Sequence, residues 1–292
     1  MRSVYIRPLN FLYGKDASQH IQKKIAAPIC GNKLIAFTKI EIIYKDSKKS
    51  QLVDVSKISK LNYKNKDQVL RDLSNIKKKR NNILNLDVNQ PVIMGVLNIT
   101  PDSFSDGGKF YKTKSANQHA KMMLTQGAHI IDVGGESTRP GAQTISEKEE
   151  CRRVIQTVKQ ISKIKKCAVS IDTRKSQVMK EAVKAGATII NDVSALDFDP
   201  NALLLVSKLK KPIILNHSQG TPETMQKNPN YQNVLIDIYD YFETKIKQLE
   251  KKGFPKSKII LDPGIGFGKN VEHNLTLMSK ISFFHSLGCP LM

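Results

Sequence analysis

From Pro91 to the end of the chain, short apolar runs alternate six times with helical patterns, and no other feature of the 292 residues narrows the fold as much. Each helix between two such strands carries the chain back across the sheet, so successive strands lie parallel. The pattern predicts strands at 92–98, 129–133, 168–172, 188–192, 212–217 and 258–262. The intervening helices are expected at 115–126, 147–164, 176–185, 201–208, 233–252 and 273–286. Gly127, Gly186, Gly253 and Gly288 follow four of those helices, where a left-handed cap favours glycine. A polar residue at the end of nearly every strand favours a (β/α)8 TIM-barrel type over a doubly wound sheet. Six units do not close eight staves, so the expected barrel is incomplete, with Cys289 to Met292 opening a seventh strand.

Composition bounds the remaining possibilities. An apolar content of 40% is enough for a sizeable core. The four cysteines, Cys30, Cys151, Cys167 and Cys289, form no CxxC pair, so reduced thiols fit better than a zinc ribbon or a disulfide framework. The sequence holds no apolar run of spanning length, and its amino terminus lacks a secretory h-region. A cytoplasmic chain without a membrane partner is the expectation. The net charge of +21 invites a nucleic-acid reading, but it is spread along the chain: net +12 over residues 1–90 and +9 over residues 91–292. The run Lys77-Lys78-Lys79-Arg80 carries no interleaved aromatic residues and reads as a solvated linker. Residues 1–90 are expected to form a basic extension or small appended α/β segment, with a strand within 33–44 and a helical stretch at 69–80.

The first strand of the series is the most specific chemically. Val92 to Leu97 is apolar on both faces, as in a parallel strand covered on two sides, and Asn98 stands at its carboxyl end. The loop that follows holds Asp102, Phe104, Asp106, Gly107 and Gly108, more chemistry than a glycine turn requires. The second strand runs into IDVGGESTRPGA, which sets the hydroxyl of Thr138 beside the guanidinium of Arg139 and Pro140. Such a pair suits an anionic substrate, although alone it would more often be a turn with a surface arginine. Three further strands end in SIDTRKS, IINDVSA and ILDPGIGFGK, placing Asp172, Asn191 and Asp262 at equivalent rim positions. Each could be a helix N-cap, but carboxylate and amide groups converging from three strands can read the edge of a polar heterocycle. The GIGFGK loop follows neither the P-loop nor the dinucleotide pattern. His217 has no second histidine at ligand spacing.

The run GVLNITPDSFSDGG resembles the first signature of dihydropteroate synthase, and STRPGA, INDVSA and LDPGIGFGK resemble later ones. The resemblance covers residues 91–292, and it implies a pterin-binding barrel whose seventh and eighth units would follow the last residue here. It implies that 6-hydroxymethyl-7,8-dihydropterin diphosphate condenses with p-aminobenzoate to give 7,8-dihydropteroate. Asp172, Asn191 and Asp262 would read the pterin, with Phe267 as a pocket wall. Thr138, Arg139, Pro140 and Phe104 would help form the p-aminobenzoate pocket. Asn98 would hold Mg2+ against the diphosphate, and Asp106 would favour a cationic methylene. The family commonly flanks His217 with methionine, whereas this chain has Asn216 and Ser218. Ser-Arg-Lys and Arg-x-His segments of the family's last two units do not occur here, so impaired turnover by the chain alone is expected. A homodimer or a complementing carboxyl-terminal fragment would be its protein partner. The rival readings are a noncatalytic pterin-binding homologue, a nucleic-acid-associated protein and a folate-dependent methyltransferase; Thr138-Arg139-Pro140 and TPDSFSDGG favour the synthase.

Overall fold

Residues 2–45, 47, 49–60, 65–99, 113–137, 142–165, 167–220, 224–225 and 228–292 are described by the computed structural model. The amino-terminal stretch folds as β1 (Val4–Tyr13), α1 (Gly14–Gln22), β2 (Ala27–Ile29), β3 (Asn32–Tyr44), β4 (Ser50–Asp54) and α2 (Lys66–Lys77). β3 pairs antiparallel with β1, β2 and β4. Its alternation explains why: Ile40 and Ile42 are buried, while Lys39 between Thr38 and Ile40 is exposed. With Ile6, Phe37, Val69 and Ile76 they form a core of their own.

The predicted βα series then follows: β5 (Met94–Asn98), α3 (Thr113–Thr125), β6 (Ile130–Gly134), α4 (Glu147–Ile161), β7 (Ala168–Asp172), α5 (Ser176–Ala185), β8 (Ile189–Asp192), α6 (Ala202–Leu209), β9 (Ile213–Asn216), α7 (Val234–Lys251), β10 (Ile259–Asp262) and α8 (Val271–Ser279). The six strands pair in parallel in unbroken chain order from β5 to β10. A doubly wound sheet reverses its order at a switch point, so this path is that of a barrel wall. Beyond α8, Leu291 bridges Leu261 in parallel, with the Leu261 N–H donating to Pro290 O at 3.0 Å and the Met292 N–H to Leu261 O at 2.8 Å. The last residues therefore begin to pair as the expected seventh strand does.

Three details depart from the sequence pattern. β6 is buried at all five positions, but β5 is not covered on two sides: Val96 is 58% exposed and Leu97 is its one buried residue. Among the described residues β5 pairs only with β6, which leaves its other edge uncovered. The helix expected at 273–286 ends at Ser279 and gives way to a 3-10 turn, Ile281–Leu287. The basic run is not wholly solvated either. Arg80 is 5% exposed, and its guanidinium donates to the carbonyls of Asn75, Lys78, His285 and Cys289. Those carbonyls lie on both sides of a contact between the amino-terminal sheet and the barrel wall, so Arg80 fastens the two.

Candidate active site

The carboxyl ends of the parallel strands form one rim, because register aligns them. Asn98 pairs with Gly134, Gly134 with Asp172 and Asp172 with Asn191; across the sheet, Asn216 pairs with Asp262. Gly134 leaves little room for a side chain between two of these groups. A Cβ there would stand 2.9 Å from Asn98 Oδ1 and 3.4 Å from Asp172 Oδ2, so its absence lets amide and carboxylate approach from either side. Asn98, Asp172, Asn191 and Asp262 thus all lie at the rim, three as expected groups around one end of the sheet and Asn98 at its exposed margin.

Burial sets their electrostatics. Asp132, 4% exposed and one layer below the rim on β6, accepts from Asn191 Nδ2 at 2.9 Å. Burial raises its pKa, and burial together with the nearby charge of Asp132 holds Asp172 well above the usual carboxylate range. Asp262 is raised by burial too, opposed by the Gly264 N–H at 2.9 Å and the Asn216 amide at 2.9 Å. Asp192 instead turns to its own loop, accepting from Ser194 N and Oγ and from Leu196 N, the ordinary structural role of such an aspartate.

The loop after β10 is pinned beside the rim by a buried cation. Lys269 Nζ donates to His217 O at 3.0 Å and Phe267 O at 2.8 Å, and lies 3.1 Å from His217 Nδ1. Burial pulls the Lys269 pKa down to about 7, and burial plus that neighbouring cation pulls His217 to about 3. His217 is thus a neutral acceptor within the loop's anchor. Gly264 has φ +69°, and a Cβ there would fall 2.0 Å from His217 O, so the close approach of loop to strand end demands glycine. Phe267, carried by this loop, lines a cavity of about 350 Å³ with Arg174, Val193, Ser218, Met225 and Tyr241. Neither this cavity nor a roomier hollow of about 600 Å³, beside Ile145, Phe198 and Asp199, is lined by Asn98, Asp172, Asn191 or Asp262.

A second buried cluster ties two rim loops together. Glu136 Oε1 accepts from Lys175 Nζ at 2.7 Å and Ile145 N at 2.9 Å, and its Oε2 accepts from Arg174 Nε at 2.9 Å. Arg174 also donates to Thr144 Oγ1 at 2.8 Å, and Lys175 to Glu150 Oε2 at 2.6 Å. Glu136 and Ile145 are the two stems of the segment that carries Thr138, Arg139 and Pro140. Those three residues, with Phe104 and Asp106, lie outside the described residues. Asp132, Glu136 and Asn216 were not singled out from sequence as members of this rim. Asp132 had a signal, being a lone charge inside an apolar strand.

Residues 94–292 match the family described as pterin binding enzyme. The chain is 46% identical over 207 residues to dihydropteroate synthase of Escherichia coli K12, covering 71% of this chain and 73% of that protein. This chain belongs to the dihydropteroate synthase family. The synthase of Bacillus subtilis is 45% identical over 201 residues, covering 69% of this chain and 68% of the relative. Among solved structures, a Yersinia pestis dihydropteroate synthase in complex with a sulfonamide drug superposes with a TM-score of 0.67 at 45% identity, covering 70% of this chain and 74% of that one. A Xanthomonas albilineans dihydropteroate synthase with 4-aminobenzoic acid gives 0.66 at 38% identity, covering 70% and 73%. A family role in folate biosynthesis accounts for a rim of amides and carboxylates better than either the nucleic-acid or the methyltransferase reading does.

Proposed function

We propose that the chain takes the substrates of its relatives, condensing 6-hydroxymethyl-7,8-dihydropterin diphosphate with p-aminobenzoate. A C–N bond forms between the aniline nitrogen and the exocyclic methylene, the C–O bond to diphosphate breaks, and the aniline nitrogen loses a proton. The supporting observation is the placement of Asp172, Asn191 and Asp262 at the carboxyl ends of three strands of one parallel sheet, with Asp132 hydrogen-bonded to Asn191. An amino-pyrimidinone edge presents adjacent donors and acceptors, and carboxylates beside amides can satisfy both kinds. Asp172 and Asp132 hold a proton more readily than ordinary carboxylates, so one of them can donate as well as accept.

Thr138, Arg139, Pro140 and Phe104 are assigned to p-aminobenzoate, and Asp106 to the cationic methylene, on their positions in the family signatures. Asn98 is assigned to the diphosphate with Mg2+. Among the described residues no group of three His, Cys, Asp or Glu side chains is placed to hold a metal. The single amide oxygen of Asn98 fits an ion that keeps most of its ligands from phosphate and water. When bound, such an ion would offset the negative charge of the departing diphosphate. The residues themselves orient the pterin and hold its methylene toward the amine.

Calorimetric titration of the purified chain with the pterin diphosphate, followed by chromatographic assay for 7,8-dihydropteroate, tests the reading. Asp262→Asn should weaken pterin binding about 10- to 100-fold, the range of a hydrogen bond to a charged group. Turnover that a sulfonamide blocks in competition with p-aminobenzoate would support the synthase. Binding without product would make the chain a pterin-binding homologue, and no binding would refute both.

A further inference from the structure

Asn216 ends β9 beside Asp262, and its Nδ2 donates to Asp262 Oδ2 at 2.9 Å. An ionised carboxylate only accepts, so the amide must turn its NH2 toward Asp262 and its carbonyl away. That carbonyl, Asn216 Oδ1, is buried with no hydrogen-bond partner, on a residue 3% exposed. The donors around it are already committed. The Gly264 backbone lies over it, so near that a Cβ on Gly264 would sit 3.1 Å from Oδ1, but the Gly264 N–H points to Asp262 Oδ1. Lys269 Nζ is engaged by His217 and Phe267. A buried acceptor left without a donor costs about 1–3 kcal/mol, and a bound ligand is one source of the missing proton.

We propose that Asn216 is a specificity-determining residue of this site, its Oδ1 accepting an N–H from the same amino-pyrimidinone edge that Asp262 reads. The inference rests on the pterin-binding reading above. Asp262 and Asn216 then act as adjacent acceptors on neighbouring strands, held in step by the hydrogen bond between them. A ring that carries an oxygen in place of its amino group faces an acceptor with an acceptor and is rejected. Replacing the amide with an aliphatic side chain removes the share of that discrimination that Asn216 supplies.

The probes are 6-hydroxymethylpterin and the analogue with oxygen at position 2, titrated calorimetrically into the full chain and into Asn216→Leu. The wild type should prefer the pterin by 100-fold or more. In Asn216→Leu that preference should fall about tenfold, mainly through weaker pterin binding. A residue that only shapes the pocket would weaken both probes alike, so an unchanged preference overturns the proposal. If Asn216→Leu does not fold, the wild type alone decides: a through-hydrogen-bond scalar coupling from a 15N-labelled pterin amine to the 13C-labelled Asn216 carboxamide is expected, and its absence from the bound spectrum overturns the proposal. Failure of the wild type to bind the pterin removes the underlying functional reading. Normal binding with no change in preference removes this inference alone.

Discussion

Asp132 shows how a single buried charge tunes its neighbours. Its carboxylate, paired to Asn191, is one of the causes that hold a proton on Asp172 at higher pH. Asp132→Asn removes that negative charge, so Asp172 should ionise at lower pH. The acid limb of the pH dependence of pterin binding should move downward, and calorimetry across pH 4 to 8 checks it. His217 supplies a stability counterpart. Its native pKa of about 3 lies below the ordinary 6.5, so across that window the unfolded chain binds a proton that the native chain does not. Stability conferred by neutral His217 is complete above 6.5 and is lost as pH falls toward 3. Between pH 6.5 and pH 5 the loss should be about 2 kcal/mol, at about 1.4 kcal/mol per pH unit. Urea melts of the wild type should show it, and His217→Gln should not.

Elements differ in how plainly their residues announce them. The six strands and five of the helices were legible because apolar runs and helical spacing mark their boundaries, whereas the sixth helix stops at Ser279, well short of Gly288; Gly186, at φ +117°, takes the left-handed cap its position implied. Asp172, Asn191 and Asp262 were legible as polar ends on apolar runs. The Glu136 cluster was not, because its partner Lys175 is 39 residues away and nothing local in GGES tells a loop anchor from a surface glutamate. Asn216 stood out only as a departure from the family's usual methionine, since its link to Asp262 spans 46 residues. The exposed face of β5 was missed for a related reason: an apolar run states what a strand can bury, and its neighbours decide what it does bury. The Glu136 cluster balances two anions against two cations, all at most 8% exposed. Glu136→Gln keeps the shape and leaves a net buried positive charge. It should destabilise the chain by about 3–5 kcal/mol, read as a lower urea midpoint, because breaking a buried pair from one side strands the other. It should also weaken p-aminobenzoate more than pterin, since both stems of the Thr138 to Pro140 segment lose an anchor.

At the scale of the whole molecule, the amino-terminal sheet has its own core yet is fastened to the barrel wall by groups that are costly to separate. Arg2, 9% exposed in its side chain, bridges Asp72 on α2 at 2.5 Å and Glu243 on α7 at 2.6 Å. Tyr5 sits in the barrel core, edge-on to Tyr239 at 5.1 Å, with its hydroxyl donating to Asp240 at 2.7 Å. Arg80 and Asn75 hold the carbonyls of the 3-10 turn from the other end, Asn75 Nδ2 reaching Ser286 O at 3.0 Å. Parting the two bodies would expose Asp72, 2% accessible, and would leave the carbonyls of His285 and Cys289 without the Arg80 donors. Folding of the sheet and folding of the wall are therefore coupled, and the wild type should melt in one calorimetric transition. Arg2→Met strands the Asp72 carboxylate, so a loss of about 3–5 kcal/mol follows, or about 6–20 °C in Tm at 2–4 °C per kcal/mol. Combining it with Arg80→Met removes the second fastening. The double variant should then melt in two steps, the smaller belonging to the amino-terminal sheet. A single transition in the double variant would show that the apolar contact around Tyr5 and Phe283 suffices to couple them.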